Sequence, residues 1–183
     1  MFNGIAFPVF VTCITLSTAF AAKTAQPTTL GPISVGKTLP FFSGLDIKTR
    51  RAVNGSILLK DKQPDRHLIA FFQTTCAPCL RGLKELAANS RRLEDAKVKV
   101  TLIDVQEEDG LILPFLQRNG LDQFQVLTDL YGKSAGVPLG VTQEADKQVV
   151  VANLPTSILV DKAGKILAIY REEGDDWIDL IAK

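Results

Sequence analysis

The stretch Leu68-Ile69-Ala70-Phe71-Phe72-Gln73-Thr74-Thr75-Cys76-Ala77-Pro78-Cys79 decides how this chain is read. Leu68 to Phe72 is apolar at every position, the pattern of a short strand covered on both faces. Beyond Cys79, the residues Leu83, Leu86, Ser90 and Leu93 recur on one helical stripe, while Arg81, Lys84, Glu85, Arg91 and Arg92 fall off it. The cysteine pair therefore stands where a strand gives way to a helix. At a helix start the first sulfur faces unpaired backbone N–H groups and the positive end of the helix dipole, which favours its thiolate. The second sulfur lies a turn further on, placed to attack a mixed disulfide made by the first, as thiol–disulfide exchange requires.

Two plainer readings compete. A purely structural disulfide fits poorly, because closing so short a loop removes little entropy from the unfolded chain. A zinc or Cu(I) thiolate site lacks partners: the only histidine is His67, the only methionine is Met1, and the remaining cysteine, Cys13, lies in an apolar N-terminal segment. His67 opens the strand at the end away from the cysteines, so it is expected to be a solvated strand-start residue and not a base for either thiol.

The N-terminal segment runs without charge from Ile5 to Ala22, the first lysine is Lys23, and Ala19-Phe20-Ala21 has the small-x-small form of a cleavage site. A signal peptide over residues 1–21 is expected. The missing basic start leaves a retained membrane anchor as the alternative, although the stretch falls short of a comfortable span and carries Pro8. Phe10-Val11-Thr12 before Cys13 is a poor lipid-attachment context. Residues 22–34, rich in Thr, Pro and Gln, are expected to be a flexible spacer. About 160 residues remain of the 183, enough for one domain with a real core. The 21 basic and 20 acidic residues nearly cancel and form no long run of one sign, which leaves no nucleic-acid footprint.

The remaining elements follow from periodicity and punctuation. Phe41 to Ile47 and Ser56 to Lys60 predict a hairpin-like N-terminal addition divided at Asn54-Gly55. Val98 to Val105 predicts a second buried strand. A short helix is expected from about Leu111 to Gly120, with Pro114 in its first turn or at a kink. Phe124 to Leu127 predicts a strand, Leu130 to Ala135 a short helix, and Ser157 to Val160 with Lys165 to Tyr170 a hairpin across Asp161-Lys162-Ala163-Gly164. Asp175 to Lys183 closes as a helix with Trp177, Leu180 and Ile181 inward. Strands alternating with helices predict an α/β sandwich around a mixed sheet.

The segment Phe71 to Cys79, the strand Val98 to Asp104, Leu154-Pro155-Thr156 and Leu159 to Lys165 resemble the thioredoxin superfamily. With the opening Val35-Gly36-Lys37-Thr38-Leu39-Pro40-Phe41 and the exported position, the chain is most similar to its TlpA/ResA-like thiol–disulfide oxidoreductases over about residues 35–183. The resemblance implies a thioredoxin-like α/β/α sandwich with a central mixed sheet. It implies Cys76 as nucleophile, Cys79 as resolving cysteine and Pro155 as a cis proline against the disulfide. It also implies that Thr75, Ala77, Pro78, Leu154 and Thr156 form the surface met by substrate. The implied partners are client proteins with cysteine pairs and a membrane electron donor. No cofactor or metal is implied, and localisation is periplasmic or otherwise extracytoplasmic. Cytochrome c maturation and disulfide correction are the processes such proteins serve.

Departures from the family pattern are equally specific. Thr75 replaces the usual aromatic before the first cysteine, Ala70 stands where thioredoxins carry a buried acid, and Gly82 stands where ResA-like reductants often place a Glu. Glu107 falls where these proteins often hold a carboxylate near the site, and it could accept the proton of Cys79; the competing reading of Glu107-Glu108-Asp109 is a solvated turn with Asp109 capping the next helix. A peroxiredoxin would share the fold, but its Pro-x-x-x-Thr-x-x-Cys nucleophile motif is missing, with Gln73 three places before Cys76. A non-catalytic Cu(I)- or client-binding thiol module is the other alternative. Residues 138–153 are longer than relatives need to reach the proline, and Pro138 to Lys147 is expected to form a flap over the site.

Overall fold

A computed structural model describes residues 29–60, 64–171 and 176–183. The expected signal peptide, the spacer up to residue 28 and the start of the last helix at Asp175 lie outside the described residues. The apolar stretch before the cysteines is a strand, Arg66–Phe72, and Val98–Val105 pairs with it in parallel, Phe72 opposite Asp104. Gln125–Asp129 continues the parallel set, with Asp129 opposite Val105.

In chain order the elements begin with β1 (Thr29–Leu30), β2 (Ile33–Ser34), β3 (Ser43–Asp46), β4 (Ala52–Asn54) and α1 (Gly55–Leu58). The central part is β5 (Arg66–Phe72), α2 (Ala77–Ala88), α3 (Ser90–Asp95), β6 (Val98–Val105), α4 (Asp109–Arg118) and β7 (Gln125–Asp129). The chain closes with β8 (Thr142–Ala145), β9 (Gln148–Val151), β10 (Thr156–Asp161), β11 (Ile166–Tyr170) and α5 (Trp177–Ile181). The main sheet has seven strands in the order β11-β10-β5-β6-β7-β3-β4, and it is mixed: β10 runs antiparallel to β5, and β3 antiparallel to β7.

Alternation along the central strands divides the core into two layers. Leu68, Ala70 and Phe72 with Val98, Val100 and Leu102 pack beneath α2, α3, α4 and α5. Ile69 and Phe71 with Ile103 and Val105 pack on the opposite face against Leu30, Ile33, Phe42, Leu58, Leu139 and Val141. The helical stripe after Cys79 survives a break: α2 stops at Asn89, α3 restarts at Ser90, and Leu83, Leu86 and Leu93 stay buried. Pro114 lies inside α4, and Gly120 ends that region at φ +65°, a left-handed position that suits glycine.

Several expectations are corrected. Asn54-Gly55 is not the turn of the N-terminal hairpin; the turn lies between β3 and β4, where the Asp46 carboxylate accepts from the amides of Lys48 and Thr49. Asn54 instead caps α1, its side chain accepting from the Ile57 amide at 3.0 Å, so the segment expected as a second strand begins as a helix. Residues 29–34, expected within the spacer, form the β1–β2 pair and bury Leu30 and Ile33. Residues 130–135 form turns and not a helix, because the Asp129 carboxylate gathers the amides of Ser134, Ala135 and Gly136. Ile178 is more deeply buried than Leu180 in α5. His67 is buried, not solvated, though it does lie at the end of β5 opposite the cysteines.

Candidate active site

Cys76 is the N-cap of α2: its backbone is extended, and its sulfur accepts from the amide of Cys79 at 3.3 Å. Pro78 in the first turn needs no N–H partner there, and its fixed φ suits a helix start. The two cysteines form a disulfide with a Cα–Cα separation of 5.2 Å. Their environments differ. Cys76 is half-buried between exposed Thr75 and exposed Ala77 and Pro78, whereas Cys79 is buried in the cluster with Ala70 and Phe72. An attacking sulfur must be reachable and a resolving one need not be, so this asymmetry assigns different chemistry to the two positions.

The Leu154–Pro155 bond is cis. Since Thr156 opposes Phe71, Pro155 stands beside the end of β5 from which the cysteine loop departs. Leu154 is half-buried and packs against both core layers. Thr156 does not join the exposed surface: it is fully buried, and its hydroxyl donates to the Asn153 carbonyl at 2.8 Å. A client cannot touch it in this conformation.

Glu107 is not in a solvated turn. Its two carboxylate oxygens accept from the amide of Thr74 at 2.6 Å and from the Thr74 hydroxyl at 2.7 Å, two residues before Cys76. Gln73 extends the same seam, donating to the Val105 carbonyl at 3.0 Å. Between these two anchor points, Gln106 adopts a φ of +65° and donates to the Val149 carbonyl of β9 at 2.8 Å. The loop after β6 thus fastens the cysteine loop on one side and the β8–β9 hairpin on the other. Asp109 caps no helix; it lies in the first turn of α4 and pairs with Arg50.

One acid escaped attention in the sequence. Asp104 is fully buried at the end of β6, and its carboxyl group meets the backbone and the side chain of Glu107. Burial, then neighbouring Glu107 and more weakly Asp129, push its pKa up to about 9. A charged residue inside the otherwise apolar run Leu102 to Val105 was the signal available in the sequence. A cleft of about 660 Å³ between β3, the end of β7 and the start of α4 is lined by Arg50, Asp109, Leu130 and Tyr131 and does not include the cysteines.

The AhpC/TSA family profile matches residues 35–169. The chain belongs to the AhpC/TSA family. The thiol–disulfide oxidoreductase ResA of Bacillus thuringiensis (strain Al Hakam) is 27% identical over 135 residues, covering 74% of this chain and 68% of that protein. Among solved structures, the thioredoxin domain of a Bacteroides vulgatus thiol–disulfide oxidoreductase superposes with a TM-score of 0.64 at 16% identity, over 81% of this chain and 96% of that one. Peroxidoxin BcpB of Mycobacterium tuberculosis gives 0.66 at 16% identity, over 81% and 93%. These likenesses establish the thioredoxin-like fold, and with the closed Cys76–Cys79 pair at a helix start this AhpC/TSA member is a thiol–disulfide oxidoreductase.

Proposed function

We propose that this chain exchanges its Cys76–Cys79 dithiol with cysteine pairs of client proteins outside the cytoplasm, as a reductant. The observation that carries this reading is the asymmetry of the pair: Cys76 is the reachable N-cap with a backbone N–H on its sulfur, and Cys79 is buried behind it. The Cys76 thiolate attacks a client disulfide and releases one client thiolate. Cys79 then attacks the Cys76 sulfur, closing the ring and releasing the second, so two electrons pass to the client. A membrane-bound thiol donor restores the dithiol. Thr75, Ala77 and Pro78, all exposed, and half-buried Leu154 form the surface a client chain meets, with Pro155 beside them. Glu107 acts here as a positioning residue, its carboxylate holding the amide and the hydroxyl of Thr74 in the cysteine loop. The charge-free run from Ile5 to Ala22 supports export.

Cys79→Ser should trap mixed disulfides with clients while Cys76→Ser traps few, read on non-reducing gels and by mass spectrometry. Equal trapping by both variants overturns the assignment. Likeness in fold to a peroxidoxin makes peroxide the second substrate to test. Gln73 in place of the peroxidatic motif's threonine weighs against it, and peroxide consumption by the purified protein decides between the two.

A further inference from the structure

Leu130 and Tyr131, adjacent in the turn after β7, are 47% and 73% exposed. Apolar residues scattered singly over a surface need no explanation. These two, however, stand together in the cleft of about 660 Å³, with polar and charged residues around them, and a rimmed apolar patch of that kind marks a place where something docks. The rest of the lining comes from Leu45 and Arg50 of the β3–β4 hairpin and from Glu108 and Asp109 where α4 begins.

The loop after β6 fixes this cleft relative to the cysteines. Glu107 holds the amide and hydroxyl of Thr74, two residues before Cys76. Next to it, the Gln106 amide donates to the Asp129 carbonyl at 3.1 Å, directly before Leu130. The turn itself is braced: the Gly132 amide donates to the same carbonyl at 2.9 Å, and the Asp129 carboxylate accepts from the amides of Ser134, Ala135 and Gly136. A chain laid across Leu130 and Tyr131 therefore meets a preformed surface and bears no cost of ordering it. The strand order β5-β6-β7-β3 sets the cleft two to three strand spacings from the end of β5, where the cysteine loop departs. That is about 10–15 Å, a distance that about three to five residues of extended chain span.

Charge narrows what fits. Asp109 is paired with Arg50, and the Asp129 carboxylate is engaged by backbone amides. Glu108 is exposed, and its side chain neither caps α4 nor forms an ion pair among the described residues. An apolar surface beside an unpaired carboxylate complements a bulky apolar side chain next to a lysine or arginine. We propose that the cleft docks a stretch of client chain carrying such a pair, about three to five residues from the cysteine that Cys76 attacks. Leu130 and Tyr131 cover the apolar side chain, and Glu108 meets the basic one. This rests on the exchange reaction proposed above and adds which clients that reaction favours.

The test uses synthetic peptides with a single cysteine held as a mixed disulfide with glutathione, reduced by the Cys76–Cys79 dithiol in single turnovers. One set carries Leu-Lys about four residues before or after the cysteine, and reference sets carry Leu-Glu or Ser-Ser at the same places. The parent should reduce the better-placed Leu-Lys peptide roughly tenfold faster than its Ser-Ser counterpart, from partial burial of the leucine. It should exceed Leu-Glu by roughly threefold at low salt, the scale of an exposed ion pair. Leu130→Ser combined with Tyr131→Ser should bring the ratio of Leu-Lys to Ser-Ser close to one. Glu108→Lys should reverse the order of Leu-Lys and Leu-Glu, a change of sign that a loss of stability does not imitate. Phe41→Ser, at an exposed residue outside the cleft, should keep the parental ratios. Equal rates for all peptides in the parent overturn the proposal, as do parental ratios in both cleft variants. A parent dimer in sedimentation, broken by Tyr131→Ser and accompanied by no peptide preference, gives the cleft to a second copy of the chain and also overturns it. Failure of the parent to reduce any peptide removes the function proposed above and this docking with it, whereas reduction without preference removes the docking alone.

Discussion

Asp104 puts an acid where its charge has no solvent and no counter-ion. Its folded pKa is raised from the ordinary 3.8 to about 9. Between those values the native chain holds a proton that the unfolded chain releases, so stability must fall as pH rises through that window. The contribution is complete below the unfolded value and is lost as pH rises towards the folded one, with a slope of about 1.4 kcal/mol per pH unit from this one group. Urea unfolding of the disulfide form at pH 5, 7 and 8.5 should show that slope in the parent and lose it in Asp104→Asn. Parallel profiles for the two proteins would show that the acid is ionised in the native state. At this scale the sequence was readable for the pairing of Cys76 with Cys79 and for the cis bond at Pro155, both tied to a local motif. It was opaque for Asp104, Thr74 and Gln106, whose meaning depends on which residues the sheet register sets beside them.

The elements that carry the site are α2 and the loop after β6, and each makes its own prediction. Cys76 gains helix-terminal N–H groups, but Pro78 between the cysteines adds no positive charge to stabilise a thiolate. Equilibration with glutathione should therefore place the couple at about −200 to −270 mV, and a value above roughly −150 mV would reverse the proposed electron flow. In the loop, Glu107 clamps Thr74 through two charge-assisted bonds, whereas Glu108 is exposed. Glu107→Gln should lose about 1 kcal/mol of stability after allowance for its partial exposure. Glu108→Gln should stay within about 0.5 kcal/mol of the parent. Equal losses in denaturant titrations would show that the clamp contributes nothing. β5, β6 and the β10–β11 hairpin were legible because apolar runs and a Gly-containing turn are local signals. The short elements were not. Asn54 and Asp129 use side chains to satisfy backbone amides, which turned an expected hairpin turn into a helix cap and an expected helix into a turn.

Across the whole molecule, the parallel strands β5 and β6 deliver Cys76 and Glu107 to the same edge of the sheet, and the segment entering Pro155 arrives there through the β8–β9 hairpin. That segment reads as an insertion, and the flap expected over residues 138–147 is wrongly bounded. Leu139 and Val141 are fully buried in the second core layer, so the part that projects begins at β8, whose Gln143 to Ala145 are exposed. Asp146 and Lys147 turn the hairpin with φ of +48° and +67°, the backbone of a tight two-residue connection. Gln106 ties β9 to the Glu107 loop, so the hairpin is fastened to the site and not merely adjacent in sequence. We infer that it selects which client chains reach Cys76. Thr142 and Val151 are cross-strand partners, so replacing residues 143–150 with Asn-Gly rejoins them by a hairpin turn while leaving Leu139 and Val141 in the core. This variant should reduce a small disulfide at the parental rate, because that substrate needs only Cys76. With the protein client trapped by Cys79→Ser, its rate should change by roughly tenfold, the equivalent of about 1.4 kcal/mol of client contact. Unchanged rates with both substrates in a folded variant would make the hairpin a passive excursion, and slowing with both would mean that the Gln106 tie serves the chemistry itself and not the choice of client.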